Sequence, residues 1–297
     1  MSSPVPAPHD VLVPSGPEAA RPGLLPRLGA EAFGTLFIVV AGLGVPLFTI
    51  PDSSPLPAAL AAGLAVTAAM LAFAHVSGGH FNPAITLGHL VAGRIRAGAA
   101  AAYVGAQLAG GLAGALALYG ILCTLPGIAD SRTAFDTVTA GFGEHSIIQA
   151  PLAAVLLLEM LGAAIVVAVF LGTSGRDTRD GGIRSAAPVA VGLTFAVLLQ
   201  LGQSVGNLPF NPARAVASAV FSSGWAVGQL WVFLAAPLLG AAIAGLVFRS
   251  IGAAGTGAVA GAVVQAGTGE ANEAGEPAET AEPGSSEAQE FFDGKRG

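Results

Sequence analysis

The sequence predicts an all-α membrane protein in which six transmembrane helices and two re-entrant half-helices form an inverted repeat. Three observations predict this fold class. Hydrophobic residues make up 53% of the 297 residues and charged residues only 10%, whereas an ordinary soluble domain carries about 25% charged residues. Six apolar stretches are long enough to cross a bilayer. The tetrapeptide FNPA occurs twice, at 81–84 and at 210–213.

The six apolar stretches define the expected transmembrane helices. About 20 residues, each rising 1.5 Å, cross the hydrocarbon core of a bilayer. Gly110 and Gly114 in the third stretch have GxxxG spacing, which predicts that two helix backbones approach closely there. The expected spans are 28–49, 57–76, 97–122, 148–171, 186–203 and 226–249.

The arginines predict the orientation of these spans. Eight of them fall on one side of the membrane, and only Arg132 lies in a loop on the other side. By the positive-inside rule, the arginine-rich side and both termini are cytoplasmic, in a plasma or inner membrane. The excess of Arg over Lys and the abundance of Ala and Gly are typical of a GC-rich bacterial genome. The eight arginines are Arg21, Arg27, Arg94, Arg96, Arg176, Arg179, Arg184 and Arg249.

Composition divides the chain into three segments. Residues 1–27 are rich in proline and lack the apolar core of a secretory signal, so we expect a disordered cytoplasmic leader. Residues 28–250 form the membrane domain, with repeats at about 28–122 and 148–249. We expect 251–297 to be a disordered, acidic cytoplasmic tail. This tail carries eight acidic and two basic residues, which equals the whole net charge of −6, so the charge says nothing about a substrate.

An internal repeat relates the two halves of the membrane domain. The interval along the chain from Glu31 to Glu159 is nearly the same as the interval from Asn82 to Asn211. Each half has three spans, and halves with an odd number of spans lie in the membrane with opposite topology. The two FNPA segments should therefore enter from opposite sides.

Each Asn-Pro-Ala sequence predicts the start of a short helix. Asn is a preferred N-cap and Pro is favoured at the next position. About eleven residues give roughly 16 Å of helix, about half the hydrocarbon thickness. The two half-helices should meet near the midplane at their N-termini, which carry partial positive charge. Asn82 and Asn211 would then donate hydrogen bonds to a neutral molecule, while cations and protons would be repelled.

The segments before the two helix starts are candidate pore-lining loops. We expect irregular backbone at membrane depth in two segments, HVSGGHF at 75–81 and SVGNLPF at 204–210. Such backbone is tolerated only where it is buried within the protein or faces a water-filled lumen. Their glycines allow carbonyl groups to point inward. His75 is a pore-lining candidate, and His80 is more simply a loop anchor. The candidates in these loops are His75, Gly78, Gly79, His80, Gly206 and Asn207.

With these residues in place, the chain resembles the aquaporin, or major intrinsic protein, family over roughly residues 27–250. The resemblance rests on AEAFGT at 30–35, HVSGGHFNPA at 75–84, YVGAQLAGG at 103–111, Glu159 and FNPAR at 210–214. It implies a pore in each protomer of a homotetramer. It also implies that Glu31 and Glu159 accept hydrogen bonds from the loop backbones, a role we prefer over a proton relay. The implied pore motifs are Asn82, Pro83, Ala84, Asn211, Pro212 and Ala213.

The resemblance also implies an outer selectivity filter of four positions. Three of them are Ala62, Leu208 and Arg214, and the fourth is Leu199 or, with a slip of one residue, Gln200. Family members that are tightly selective for water have Phe and His at two of these positions, and this chain has neither. The filter is thus expected to be wider and more apolar than theirs.

Other positions favour water as the main permeant. Glycerol-conducting members of the family that this chain resembles typically carry Asp and a basic residue at the positions of Ala215 and Ala219. We therefore predict a passive water channel that also conducts small neutral solutes and excludes protons and ions. The alternatives are an aquaglyceroporin-like pore mainly for glycerol or urea, and an ion-coupled secondary transporter.

No cofactor, metal or nucleic acid is expected, and the lipid bilayer is the expected surrounding. His75 and His80 have no neighbouring carboxylate or thiol in the sequence that would complete a metal site. The spans contain no nucleophile–base pair, so we expect no enzyme activity. Cys123 is the single cysteine, which rules out an intramolecular disulfide.

Overall fold

The computed structural model describes residues 22–49, 56–174 and 181–269, with the backbone alone for 181–185 and 253–269. These residues form helices and no strand. Nearly all of the expected leader, and the tail from residue 270 onward, lie outside the described ranges. The chain divides into two units, residues 1–250 and 251–297, and the helix packing and the pore described below belong to the first.

Six of the helices are long and apolar enough to span a membrane. The expectation of a multi-pass membrane protein is confirmed, and most of the predicted boundaries shift by only a few residues. The spanning helices are α1 (Leu24–Phe48), α2 (Ala58–Ser77), α4 (Ala97–Leu122), α6 (Leu152–Thr173), α7 (Gly181–Gly206) and α9 (Trp225–Gly269).

Three shorter α-helices complete the described fold. The half-helices are α3 (Pro83–Val91) and α8 (Pro212–Phe221). With nine and ten residues, each is about 14–15 Å long, half the thickness of a bilayer core. The third, α5 (Ser131–Asp136), lies in the connection between the two halves. We call the side that carries α5 the outer side, and the side that carries Arg94 the inner side.

Glycines let the spanning helices pack closely in equivalent places of the two halves. A Cβ atom at Gly110 of α4 would overlap the carbonyl oxygen of Ala32 in α1, and one at Gly240 of α9 would overlap that of Met160 in α6. Gly110 and Gly240 are separated by nearly the same interval as the two glutamates and the two asparagines, so the same packing recurs in each half. Across the halves, a Cβ at Gly63 of α2 would lie 2.5 Å from the carbonyl oxygen of Gly192 in α7. These contacts bring the helices close enough to enclose the half-helices.

The last helix differs from the sequence expectation. It continues to Gly269, so the first part of the tail, which we expected to be disordered, is helical in the structure. This stretch contains as many glycines as alanines, and glycine is a weak helix former, so composition alone does not account for the helix.

Candidate pore

The two Asn-Pro-Ala sequences form the helix starts that the sequence predicts. Asn82 caps α3, and its Oδ1 accepts a hydrogen bond of 2.8 Å from the N–H of Ala84. Asn211 caps α8, where its Oδ1 accepts from Ala213 N at 3.0 Å and from Arg214 N at 3.4 Å. Both asparagines are buried. Each half-helix thus begins at a satisfied amide cap deep inside the protein.

Each asparagine also holds the loop of the other half. Asn82 Nδ2 donates to the carbonyl oxygen of Phe210 at 2.9 Å, and Asn211 Nδ2 donates to that of Phe81 at 3.1 Å. These reciprocal bonds fix the two helix N-termini next to each other. The sequence expectation that Asn82 and Asn211 donate to a molecule in the lumen stays a prediction. One N–H of each amide is used within the protein, and one remains for a passing molecule.

The residues before the asparagines adopt an uncommon backbone conformation. Phe81 and Phe210 have φ angles of 49° and 48°, in the left-handed region that is unfavourable for residues other than glycine. Each ring lies in a notch where a glycine lacks a side chain, and a Cβ at Gly34 or at Gly162 would overlap it. Gly34 and Gly162 each lie almost one helical turn after a buried glutamate. The ring packing and the carbonyl bonds together hold the two loops in this shape.

Glu31 supports the first loop as expected from the sequence. Its Oε1 accepts hydrogen bonds from Ser77 Oγ at 2.6 Å and His80 N at 3.0 Å. Its Oε2 accepts from Phe81 N at 2.7 Å and Gln107 Nε2 at 2.8 Å. Glu31 is fully buried, and these four donors offset the cost of removing a carboxylate from water.

Glu159 is placed equivalently but is not bonded equivalently. It is also fully buried, and it faces the backbone N–H of Phe210. Neither of its carboxylate oxygens reaches hydrogen-bonding geometry with a described residue. The repeat explains the difference, because intervals of about 129 and 130 residues place Gly206 opposite Ser77 and Pro237 opposite Gln107. Neither counterpart has a side chain that can donate.

Three cavities follow one another past the asparagines. The outer cavity has a volume of about 70 Å³, and the middle and inner cavities have about 10 Å³ each. Four of the expected filter residues line the outer cavity, namely Ala62, Leu199, Leu208 and Arg214. Gln200 is exposed and does not line this cavity, whereas Leu199 does.

Arg214 lies one turn into α8, beside Gly42 of α1. A Cβ at Gly42 would be 3.6 Å from Arg214 Nε, an ordinary van der Waals contact. The Nε atom is buried and has no hydrogen-bond partner among the described residues. Arg214 lines both the outer and the middle cavity.

The loop candidates lie at different depths. His80 is buried at the inner cavity, where its Nδ1 is 3.1 Å from Thr86 Oγ1. His75 is exposed in the last turn of α2 and is not one of the residues that line the three cavities. Gly78 and Gly79 have φ angles of 98° and 71° and form the turn between α2 and His80.

Gly206 and Asn207 hold the outer connection. The carbonyl oxygen of Gly206 accepts from Gly141 N at 3.1 Å. Asn207 Nδ2 donates to the carbonyl oxygens of Thr137 at 3.0 Å and Thr139 at 3.4 Å. Thr137 lines the outer cavity, so these bonds place part of the connection at the mouth of the lumen.

We call residues 131–141 of this connection the outer strap. A second attachment fixes it, because Asp136 accepts from Ser223 N at 2.8 Å and from Ser223 Oγ at 2.7 Å. The outer strap is thus held both by the second pore loop and by the residues that follow α8.

Several residues near the pore were not predicted from the sequence. Gln107 and Tyr103 support the first loop, and His89 packs against His80 with ring centroids 4.2 Å apart. Gln107 and Tyr103 lie within the motif YVGAQLAGG, which could have indicated them. Phe195 lines the middle and inner cavities, and nothing in the sequence marks it out from other apolar residues of α7. Among the described residues, no group of three or more His, Cys, Asp or Glu side chains could hold a metal ion.

The fold and the paired half-helices define a polytopic membrane protein of the channel type. The family model described as Major intrinsic protein matches residues 18–248. The chain is 34% identical over 237 residues to Aquaporin Z of Photorhabdus laumondii, an alignment that covers 77% of this chain and 98% of the relative. In structure it is similar to the aquaglyceroporin from Plasmodium falciparum, with a TM-score of 0.63, 20% identity and coverage of 76% of this chain and 96% of the other.

The chain therefore belongs to the major intrinsic protein family. This result confirms the resemblance that the paired motifs indicate, and the structural similarity confirms the fold.

Proposed function

We propose that this protein is a passive channel for water that also conducts small uncharged solutes and excludes protons and ions. The observation that carries the proposal is the junction of the two half-helices. Two capped helix N-termini meet there, held by the bonds from Asn82 to Phe210 and from Asn211 to Phe81. Their partial positive charges oppose cations, while the remaining amide N–H groups can donate to a neutral oxygen.

The sizes of the cavities support water as the main permeant. A site of about 10–15 Å³ is enough for one water molecule, and the middle and inner cavities have about 10 Å³ each. A second candidate, a pore mainly for glycerol or urea, is supported by the aliphatic walls that Ala62, Leu199 and Leu208 give to the outer filter. An ion-coupled transporter is not favoured by the family.

Assembly and orientation complete the proposal. The arginine distribution supports cytoplasmic termini in a bacterial inner membrane. A homotetramer, the assembly that the family resemblance implies, agrees with the large apolar side chains that the spanning helices expose, such as Leu71, Leu157 and Trp231. Like other members of a channel family, the protein is proposed to have no enzyme activity.

Osmotic shrinkage of proteoliposomes tests the function. Purified protein in lipid vesicles is mixed rapidly with sucrose, glycerol or urea, and the volume is followed by light scattering. Water flow faster than in empty vesicles, with slower re-swelling in glycerol and urea, is expected. If water flow equals that of empty vesicles, the water channel is refuted. If glycerol or urea enters as fast as water leaves, the second candidate replaces the first.

A further inference from the structure

Two rings of side chains narrow the lumen. The outer ring contains residues that line both the outer and middle cavities, namely Gly42, Ala62, Leu199 and Arg214. The inner ring contains residues that line both the middle and inner cavities, namely Ile38, Val66, Phe195 and Asn211. Each member of one ring lies about one helical turn from a member of the other on the same helix. The rings are therefore about 5–6 Å apart along the lumen.

The apolar members of the inner ring are larger than those of the outer ring at each corresponding position. On α1 the outer ring has Gly42 and the inner ring Ile38, and on α2 Ala62 is matched by Val66. On α7 Leu199 is matched by Phe195. The apolar wall of the lumen is thus bulkier near the midplane than at the outer filter.

The remaining bulk of the outer ring belongs to Leu199 and Arg214. Arg214 Nε has no hydrogen-bond partner among the described residues, and a Cβ at Gly42 would lie 3.6 Å from it, in ordinary van der Waals contact. On α1 and α2, the apolar wall of this ring consists of the small residues Gly42 and Ala62.

The inner ring is held in place by the core. Ile38, Val66 and Phe195 are 7%, 4% and 5% exposed, and all three belong to the main hydrophobic cluster of the protein. Close-packed interiors resist displacement, so a ring in this cluster keeps its position. Asn211 is fixed as well, by its cap and by its bond to the other half.

We propose that the inner ring, and Phe195 in particular, sets the size limit for neutral solutes in this channel. The outer filter admits solutes larger than water, and the Phe195 ring rejects them one helical turn further in. Phe195 is thus a specificity-determining residue. The inference rests on the proposed function as a channel, and it places the steric step at the midplane, where the apolar wall is bulkiest.

The test compares glycerol and water permeability in the same proteoliposomes. The ratio of the two is used because it does not depend on how many channels are folded and inserted. Phe195→Leu should raise the ratio of glycerol to water permeability, and Phe195→Ala should raise it further, by at least about tenfold. A difference of a few carbon atoms in an apolar site gives discrimination of about this size. Leu199→Ala, which widens the outer ring, should raise it less than either. Val197→Ala, on the exposed face of the same helix, is the matched control.

Three results would overturn the proposal. One is a ratio that stays at the wild-type value in both Phe195 variants. Another is a ratio of glycerol to water permeability in Leu199→Ala that equals or exceeds the ratio in Phe195→Leu. If the Phe195 variants do not fold, Ile38→Val and Val66→Ala open the same ring from the opposite wall, and unchanged ratios there also contradict it. A wild-type protein without water flow refutes the channel itself, which distinguishes the two failures.

Discussion

The side-chain amide of Asn82 donates a hydrogen bond of 2.9 Å to the main-chain carbonyl of Phe210, which lies in the other half of the chain. The reciprocal bond joins Asn211 to Phe81 at 3.1 Å. The asparagines therefore have two functions, because the oxygen caps a helix and the nitrogen joins the repeats.

Two substitutions at position 82 should separate these functions. Serine is a good N-cap but cannot reach as Asn does, so Asn82→Ser should keep the cap and lose the bond to Phe210. A buried carbonyl without its donor costs about 1–3 kcal/mol. Asn82→Ala loses the cap as well, which adds about 1 kcal/mol. Thermal unfolding in detergent should therefore rank wild type above Ser and Ser above Ala, and equal melting temperatures for wild type and Asn82→Ser would contradict the prediction.

The two buried glutamates should respond differently to the same change. Glu31→Gln replaces an acceptor oxygen by an NH₂ group that faces N–H and O–H donors, so it should destabilise the protein by about 2 kcal/mol or more. Glu159 has no side-chain donor to lose, so Glu159→Gln should cost less stability than Glu31→Gln. We expect its melting temperature to lie above that of Glu31→Gln. If both variants lose stability equally, the inference that Glu31 is hydrogen-bonded more strongly than Glu159 is wrong.

Arg214 should limit the flux of metal cations through the channel more than it limits the flux of protons. At an effective dielectric constant of about 20, a positive charge opposes a cation about 6 Å away by about 3 kcal/mol. Arg214→Ala should therefore raise sodium leak by up to about a hundredfold, while proton flux, limited by the helix ends at the midplane, should change little. Arg214→Lys retains the charge and is the control. Vesicles loaded with sodium- and pH-sensitive dyes measure both, and a proton flux that rises as steeply as the sodium flux would place the main barrier at Arg214.

Asn207 should hold the outer strap in place. Its φ of 51° is left-handed, and its amide donates to Thr137 and Thr139. Asn207→Gly keeps that backbone conformation and removes both donors, so amide exchange in the strap should quicken by about tenfold for one to two lost bonds. Exchange in α3 serves as an internal control. Hydrogen exchange followed by mass spectrometry measures the effect, and unchanged protection of residues 137–141 would show that Asn207 does not anchor the strap.

The sequence predicts those parts of this fold that depend on local chemistry or on periodicity. The spans follow from apolar length, and the half-helices follow from Asn and Pro at a helix start. The partner of each Asn Nδ2 could not be predicted, because a side-chain contact between the two repeats depends on how the halves pack. The choice between Leu199 and Gln200 needed the helical register of α7 to within one residue. Phe195 was missed because an apolar residue at a lumen looks the same in sequence as one in the core.

The asparagine–carbonyl exchange has a consequence for biogenesis. When a ribosome has delivered only the first repeat, Asn82 Nδ2 and the carbonyl of Phe81 have no counterpart, since the groups that satisfy them arrive with Phe210 and Asn211. An early intermediate must therefore leave these dipoles to lipid, water or the insertion machinery. Closure of the midplane is then a late event that requires both repeats to be inserted, and a truncated chain that ends before Phe210 cannot complete it.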